Sequence, residues 1–150
     1  MSSDKKWKFD TLVIHGAQTP DQWKSATLAP IYQAASHQFD TAEELSDVFA
    51  GKKPGFIYQR LRNPTNEALE KRLNLLEGGV EAIVTASGMA AIADSVMAIC
   101  KAGDEIVSGN SLFMSTFQLF SNILGKLGVK AKFVESSDLH AWEAAVTEKT

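Results

Sequence analysis

The chain has 150 residues, 45% of them hydrophobic, and a formal charge of -3 from 18 acidic and 15 basic side chains. That length suits one domain with its own core, and charges mixed along the chain without a basic stripe exclude nucleic acid as an expected partner. The opening MSSDKKWKFD lacks an apolar h-region and a cleavage site, and the apolar run Ala82–Cys100 is interrupted by Asp94 and split by Ser87-Gly88, so neither secretion nor a membrane span is expected.

Residues 1–62 read as an arm. Apolar residues are scattered and turn signals frequent: Gly16, Thr19-Pro20, Ala29-Pro30, Gly51, Pro54-Gly55. One helix interrupts it, from about Ala42 to Phe49, with Asp40 or Thr41 as N-cap, Glu43 or Glu44 completing a capping box, and Gly51 closing it. The rest of the arm cannot bury itself alone and should lie on its own domain or on a partner subunit. If Tyr58-Gln59-Arg60 is extended, Tyr58 and Arg60 point to one side. A phenol beside a guanidinium fork suits a phosphate or carboxylate, although a solvated Arg beside a packing Tyr is the commoner arrangement.

From Asn63 the punctuation becomes regular. Asn63 caps a helix that has Pro64 in its first turn, a Leu69, Leu73, Leu76 stripe, a Glu67–Lys71 pair at i, i+4, and Gly78-Gly79 as its stop. A strand is predicted over Glu81–Ala86 and a helix over residues 88–101, with Met89, Ile92, Val96, Ile99 and Cys100 at helical spacing. A strand follows at Glu105–Ser108. The next helix, Phe113–Leu127, should turn Phe117, Phe120, Ile123, Leu124 and Leu127 inward. A strand over Lys130–Glu135 and a helix from Asp138 complete the pattern. Strands alternating with helices indicate βαβ units, hence an α/β fold with a parallel sheet. Three strands are few for such a sheet, so the chain reads as the front part of a larger protein.

Between the strand at 81–86 and its helix lies Ala86-Ser87-Gly88-Met89-Ala90-Ala91. A helix start leaves backbone N–H groups unpaired at the positive end of the dipole, which is a ready phosphate site, and Gly88 lets an anion approach closely. Local chemistry by itself favours the plainer alternative, a helix capped by Ser87 and built of small residues for close packing. The lone Cys100 excludes an internal disulfide and reads as a structural thiol suited to a reducing cytoplasm. His15, His37 and His140 lack metal-ligand or triad spacing, so no metal is expected, and neither a Walker sequence nor GxGxxG is present.

Taken in register, YQRLRNPTNEALEKRLNLLEGG, TASGMAA and GNSLFMSTFQLF resemble the Cys/Met-metabolism family of pyridoxal-phosphate enzymes, from about Phe9 to Thr150. HGAQTPD and LAPIYQAASHQFDTAEELSDVFAGKKPGFIYQR look most like its O-acetylhomoserine sulfhydrylase branch. The resemblance implies an aspartate-aminotransferase-like (fold type I) domain, with residues 1–62 as arm and dimer contact and 63–150 as an incomplete cofactor domain. It implies pyridoxal 5'-phosphate as cofactor, and reverses both local preferences above. Tyr58 and Arg60 would clamp the cofactor phosphate of the neighbouring subunit. Gly88 and Met89, following Ser87, would donate backbone N–H groups to the phosphate of their own subunit's cofactor, and Phe113 would stack on its ring.

Two positions depart from the family. Phe113 stands where Tyr is commoner, which keeps stacking and removes a hydroxyl for proton transfer, leaving that task to the Schiff-base Lys or to Tyr58. Arg62 stands where a small or polar residue is common, and is expected to be solvated rather than a second anion contact. In the family, the Schiff-base Lys, the Asp on the pyridinium nitrogen and the substrate-carboxylate Arg lie beyond position 150, and Lys101, Lys126, Lys130 and Lys132 do not match the first. Residues 1–150 therefore hold no catalytic residue and should be inactive alone. The implied reaction is γ-replacement on an O-acylated homoserine by sulfide or a thiol, in a cytoplasmic dimer or tetramer that shares its active sites. The alternatives are γ- or β-elimination, and a non-catalytic fragment that docks on a full-length subunit.

Overall fold

The computed structural model describes residues 7–17 and 26–150. The Thr19-Pro20 turn, most of HGAQTPD beyond Ala17, and Met1–Lys6 lie outside the described residues. The chain divides after Val84 into two compact units, each taken here by itself.

The first unit contains three helices among its described residues: α1 (Phe9–His15), α2 (Ala42–Phe49) and α3 (Pro64–Glu77). The helix α1 is absent from the sequence reading of the arm. Its N-cap, Lys8, makes no side-chain bond, so the strongest start signal is missing. The weaker signal is charge: Asp10 in the first turn and His15 in the last complement the helix dipole. Packing on α3 and an Arg72 Nε–H bond to the Gly16 carbonyl at 3.3 Å hold it in place.

Both predicted caps in this unit form. The Thr41 hydroxyl accepts from Glu44 N–H at 3.1 Å. Asn63 Oδ1 accepts from Thr65 N–H at 2.8 Å, and α3 ends where Gly78 turns left-handed at φ 66°. The arm lies partly on α3: Tyr32 N–H donates to Thr65 Oγ1 at 2.8 Å, and Asn63 Nδ2 donates to the Tyr32 carbonyl at 3.1 Å.

The strand predicted over Glu81–Ala86 does not form a ladder. Val84 N–H donates to the Glu70 carboxylate at 2.9 Å and the Val80 carbonyl accepts from Asn74 Nδ2 at 3.0 Å, so α3 side chains satisfy this backbone. Ile83 is 83% exposed. An apolar run marks a strand only when a neighbouring strand takes up its hydrogen bonds, and no described strand pairs with this one.

The second unit is α/β. It runs α4 (Gly88–Ile99), β1 (Glu105–Gly109), α5 (Met114–Gln118), a π-helical turn (Leu119–Ile123), α6 (Leu124–Lys126), β2 (Lys130–Val134) and α7 (Leu139–Ala145). The two strands pair in parallel, with Glu105 opposite Lys130 and Gly109 opposite Val134, and the α5–α6 rod is their crossover. Leu119, Phe120, Leu124 and Val129 form the buried core, and Met89, Ile92, Val96 and Cys100 of the α4 segment pack against it. Ile99 does not, since α4 ends there and leaves it exposed.

Sequence periodicity misplaces part of the crossover. Ile123 and Leu127, expected inward, are each 54% exposed, whereas Leu119 is buried. This stretch contains a π turn, in which Leu124 N–H donates to the Leu119 carbonyl five residues back. The surplus residue is taken up within the turn, and Leu124 after it still faces the core as expected, 1% exposed. Ser121 Oγ bonds back to the Phe117 carbonyl at 2.7 Å in the same stretch, a contact that loosens regular α-helical bonding.

A polar clasp closes the other end of the unit. Lys132 Nζ donates to Glu105 Oε2 at 2.6 Å and to the Ala145 carbonyl at 3.1 Å, and the Thr147 hydroxyl donates to Glu105 Oε2 at 2.8 Å. These bonds, Lys132 first and Thr147 second, hold the Glu105 carboxyl below the usual carboxylate range. A lowered folded-state pKa contributes stability above the unfolded value, which is lost as pH falls through the folded one. Acid unfolding of Glu105→Gln should therefore depend less steeply on pH than that of the parent, with stability rising with pH in both. Identical acid slopes in urea titrations would rule out the clasp as a source of that dependence.

Candidate functional site

The site residues expected from sequence fall into two sets. Tyr58 and Arg60 belong to the first unit; Ser87, Gly88, Met89 and Phe113 belong to the second.

Tyr58 and Arg60 do not lie on an extended strand. Tyr58 makes an isolated antiparallel bridge to Ser36, and the chain then turns, with the Tyr58 carbonyl accepting from Leu61 N–H at 2.9 Å and Arg62 N–H at 3.2 Å. The turn nevertheless brings the two side chains together, by a different route from strand alternation. The Arg60 guanidinium carbon sits 5.0 Å from the centre of the Tyr58 ring, a cation–π contact that leaves the edge of the fork free. Among the described residues Arg60 has no carboxylate partner.

Arg62 is half-exposed, as expected, but it is not without a partner. Its guanidinium pairs with Glu67 and lies 5.7 Å from the Phe56 ring centre. Sequence reasoning placed Glu67 only in an i, i+4 pair with Lys71, which forms at 3.2 Å. The second, non-helical partner could not be read from helix spacing.

The α4 start is built as its sequence implies. Ser87 is extended, at φ -162° and ψ 160°, and its hydroxyl oxygen accepts from Ala90 N–H at 3.1 Å. Ala91 N–H takes the Ser87 carbonyl at 3.0 Å. That leaves the Gly88 and Met89 N–H groups without an acceptor among the described residues, at the positive end of a 12-residue helix. A Cβ on Gly88 would meet nothing within 4 Å, so the space over the turn is open. Both local alternatives hold at once: Ser87 caps the helix and the turn still presents two donors. Ser87→Ala should cost about 1 kcal/mol by removing the cap, read as a lower urea midpoint; an unchanged midpoint would mean that the cap bond contributes nothing.

Phe113 precedes α5, and its ring is 74% exposed. Thr116 ties it to the α4 start: Thr116 N–H donates to the Phe113 carbonyl at 2.9 Å, and its hydroxyl lies 3.7 Å from the Met89 sulfur. The loop before Phe113 is fixed by Asn110, whose N–H donates to the Val134 carbonyl at 2.8 Å and whose Nδ2 donates to Glu135 at 3.0 Å. Two backbone donors and an exposed aromatic residue thus belong to one hydrogen-bonded framework, an arrangement that can hold an anionic group with a flat ring attached.

Comparison with known proteins gives consistent matches. The profile of the family described as "Cys/Met metabolism PLP-dependent enzyme" matches residues 10–150. The O-acetyl-L-homoserine sulfhydrylase of Corynebacterium glutamicum is 42% identical over 99% of this chain and 34% of its own length. The L-methionine gamma-lyase of Pseudomonas putida is 39% identical over 99% of this chain and 37% of its own length. A Campylobacter jejuni crystal structure described as an O-acetylhomoserine (thiol)-lyase, with N'-pyridoxyl-lysine-5'-monophosphate, superposes at a TM-score of 0.89. It is 32% identical and covers 97% of this chain and 36% of that one. The chain spans about a third of the length of the curated relatives it matches.

Proposed function

We propose, from the premise that this chain belongs to the Cys/Met metabolism family of PLP-dependent enzymes, that it is the N-terminal part of an enzyme performing γ-replacement on O-acetyl-L-homoserine. Sulfide or a thiol is the acceptor, and homocysteine or methionine the product. The observation that carries this reading is the α4 start, with its open Gly88 and Met89 donors inside the matched run. The 42% identity with a sulfhydrylase supports the branch. Residues 1–62 then serve as arm and dimer contact, and 63–150 as part of the cofactor domain.

The residues present suit pyridoxal phosphate: two free N–H donors, clear space over Gly88, and an exposed ring at Phe113. When bound, that cofactor supplies the electron sink for loss of the acyl group and addition of sulfur. Gly88 and Met89 hold its phosphate by backbone N–H groups, and the Ser87 hydroxyl, which accepts from Ala90, keeps its own proton to donate. Phe113 orients the ring by stacking and has no proton to transfer. Tyr58 and Arg60 reach the phosphate of a neighbouring subunit in a cytoplasmic dimer or tetramer, Arg60 offering two parallel donors. The chain alone is inactive, since no lysine in it occupies the Schiff-base position.

Product analysis tests this. The chain is mixed with pyridoxal phosphate and a polypeptide carrying the remainder of a sulfhydrylase, then given O-acetylhomoserine and sulfide. Homocysteine and acetate are expected from the mixture and nothing from the chain alone. Ketobutyrate, ammonia and acetate without homocysteine would replace this reading by γ-elimination, which the 39% identity with a methionine gamma-lyase supports. Retention on a full-length subunit without turnover would leave a docking role.

A further inference from the structure

We propose that Glu67, acting through Arg62, is a positioning residue for the turn that carries Tyr58 and Arg60. The inference rests on the reading of Arg60 as a phosphate ligand. The upstream side of this turn is anchored by backbone: Gln59 N–H donates to the Ala35 carbonyl at 2.9 Å and His37 N–H to the Ile57 carbonyl at 3.0 Å. The downstream side has no such ladder. Side chains hold it instead: the Arg62 backbone N–H closes the turn on Tyr58, the Arg62 guanidinium pairs with Glu67 in the first turn of α3, and Asn63 Nδ2 donates to the Tyr32 carbonyl at 3.1 Å. Arg62 also lies over Phe56, which packs 5.8 Å from the His37 ring, so both sides of the turn meet in one cluster.

Glu67 is suited to act as the fixed point. Its side chain is 11% exposed, against 55% for Arg62 and 51% for Lys71, which shares the same carboxylate. The three line a cleft of about 270 Å³ with Pro54, Gly55 and Phe56. One covered carboxylate thus gathers two half-exposed cations, while Arg60 has no carboxylate partner among the described residues.

Positioning and plain electrostatics predict opposite signs. Glu67→Gln makes the neighbourhood more positive by one charge, so a purely electrostatic role would tighten anion binding. A positioning role loosens the turn and weakens it. The experiment titrates inorganic phosphate into the full 150-residue chain and records backbone order parameters by NMR. Glu67→Gln and, separately, the better-tolerated surface change Arg62→Ser are expected to lower order at residues 58–62 while α3 stays ordered. Phosphate binding should weaken about fivefold in Glu67→Gln; Arg62→Ser also removes a positive charge, so it is read by the order of the turn alone. In an Arg60→Ala background the weakening should vanish, because the effect passes through Arg60. Tighter or unchanged binding, unchanged order in the turn, or a weakening that persists without Arg60 would overturn the proposal. If Arg60→Ala itself leaves phosphate binding intact, the phosphate role of Arg60 fails, and the order of the 58–62 turn in Glu67→Gln still decides whether Glu67 positions it.

Discussion

Leu124→Ala is expected to destabilise the second unit by about 2–5 kcal/mol, the range for emptying a well-packed leucine site. Leu124 is 1% exposed and sits at the centre of the four-residue buried core. That core is small, so it has little spare stability to lose. Urea unfolding followed by the near-ultraviolet signal of Trp142 in α7 measures the loss. The transition should shift far to lower urea or lose its cooperativity. The same substitution at Leu127, which is largely exposed, should change little. Equal effects at the two positions would contradict the burial pattern of the crossover.

Arg60→Ala should weaken binding of inorganic phosphate by roughly 10- to 150-fold, the equivalent of about 1.5–3 kcal/mol for a hydrogen bond to a charged group. Arg60→Lys should fall between the two, since a point charge remains but the two-pronged donor is lost. The cation–π contact with Tyr58 makes a further outcome readable: Tyr58→Phe loses the hydroxyl's own bond but keeps the ring under Arg60, and should cost less phosphate affinity than Tyr58→Ala, which loses both. Titration of each variant checks the order. An affinity unaffected by Arg60→Ala would remove this turn from the cofactor site.

Local chemistry made much of both units legible. Asn63 with Pro64, Thr41 with Glu44, and Ser87 before Gly88 mark helix starts because a side-chain oxygen meets an orphan N–H a few residues away, a contact written in the sequence itself. Both strands of the parallel pair fell within one residue of their predicted ends. The misses have long-range or covert causes. Helix α1 depends on packing against α3, some sixty residues away, and the 81–86 run lacked a pairing strand. Tyr58 and Arg60 met through a turn and a ring contact that alternation does not describe. Arg62 found Glu67 by chain geometry, since no periodic rule pairs positions five apart.

The π turn at Leu119–Ile123 is a surplus of length, and substitution cannot correct it. Deleting one residue between 119 and 123 would return the crossover to ordinary α-helical bonding while the residues on either side, Leu124 included, keep the faces they already present. Deletion elsewhere in the rod would misalign residues that are already in phase. A one-residue gap is thus tolerated best at that turn, and among proteins of this fold it is where lengths should differ while the sheet stays the same.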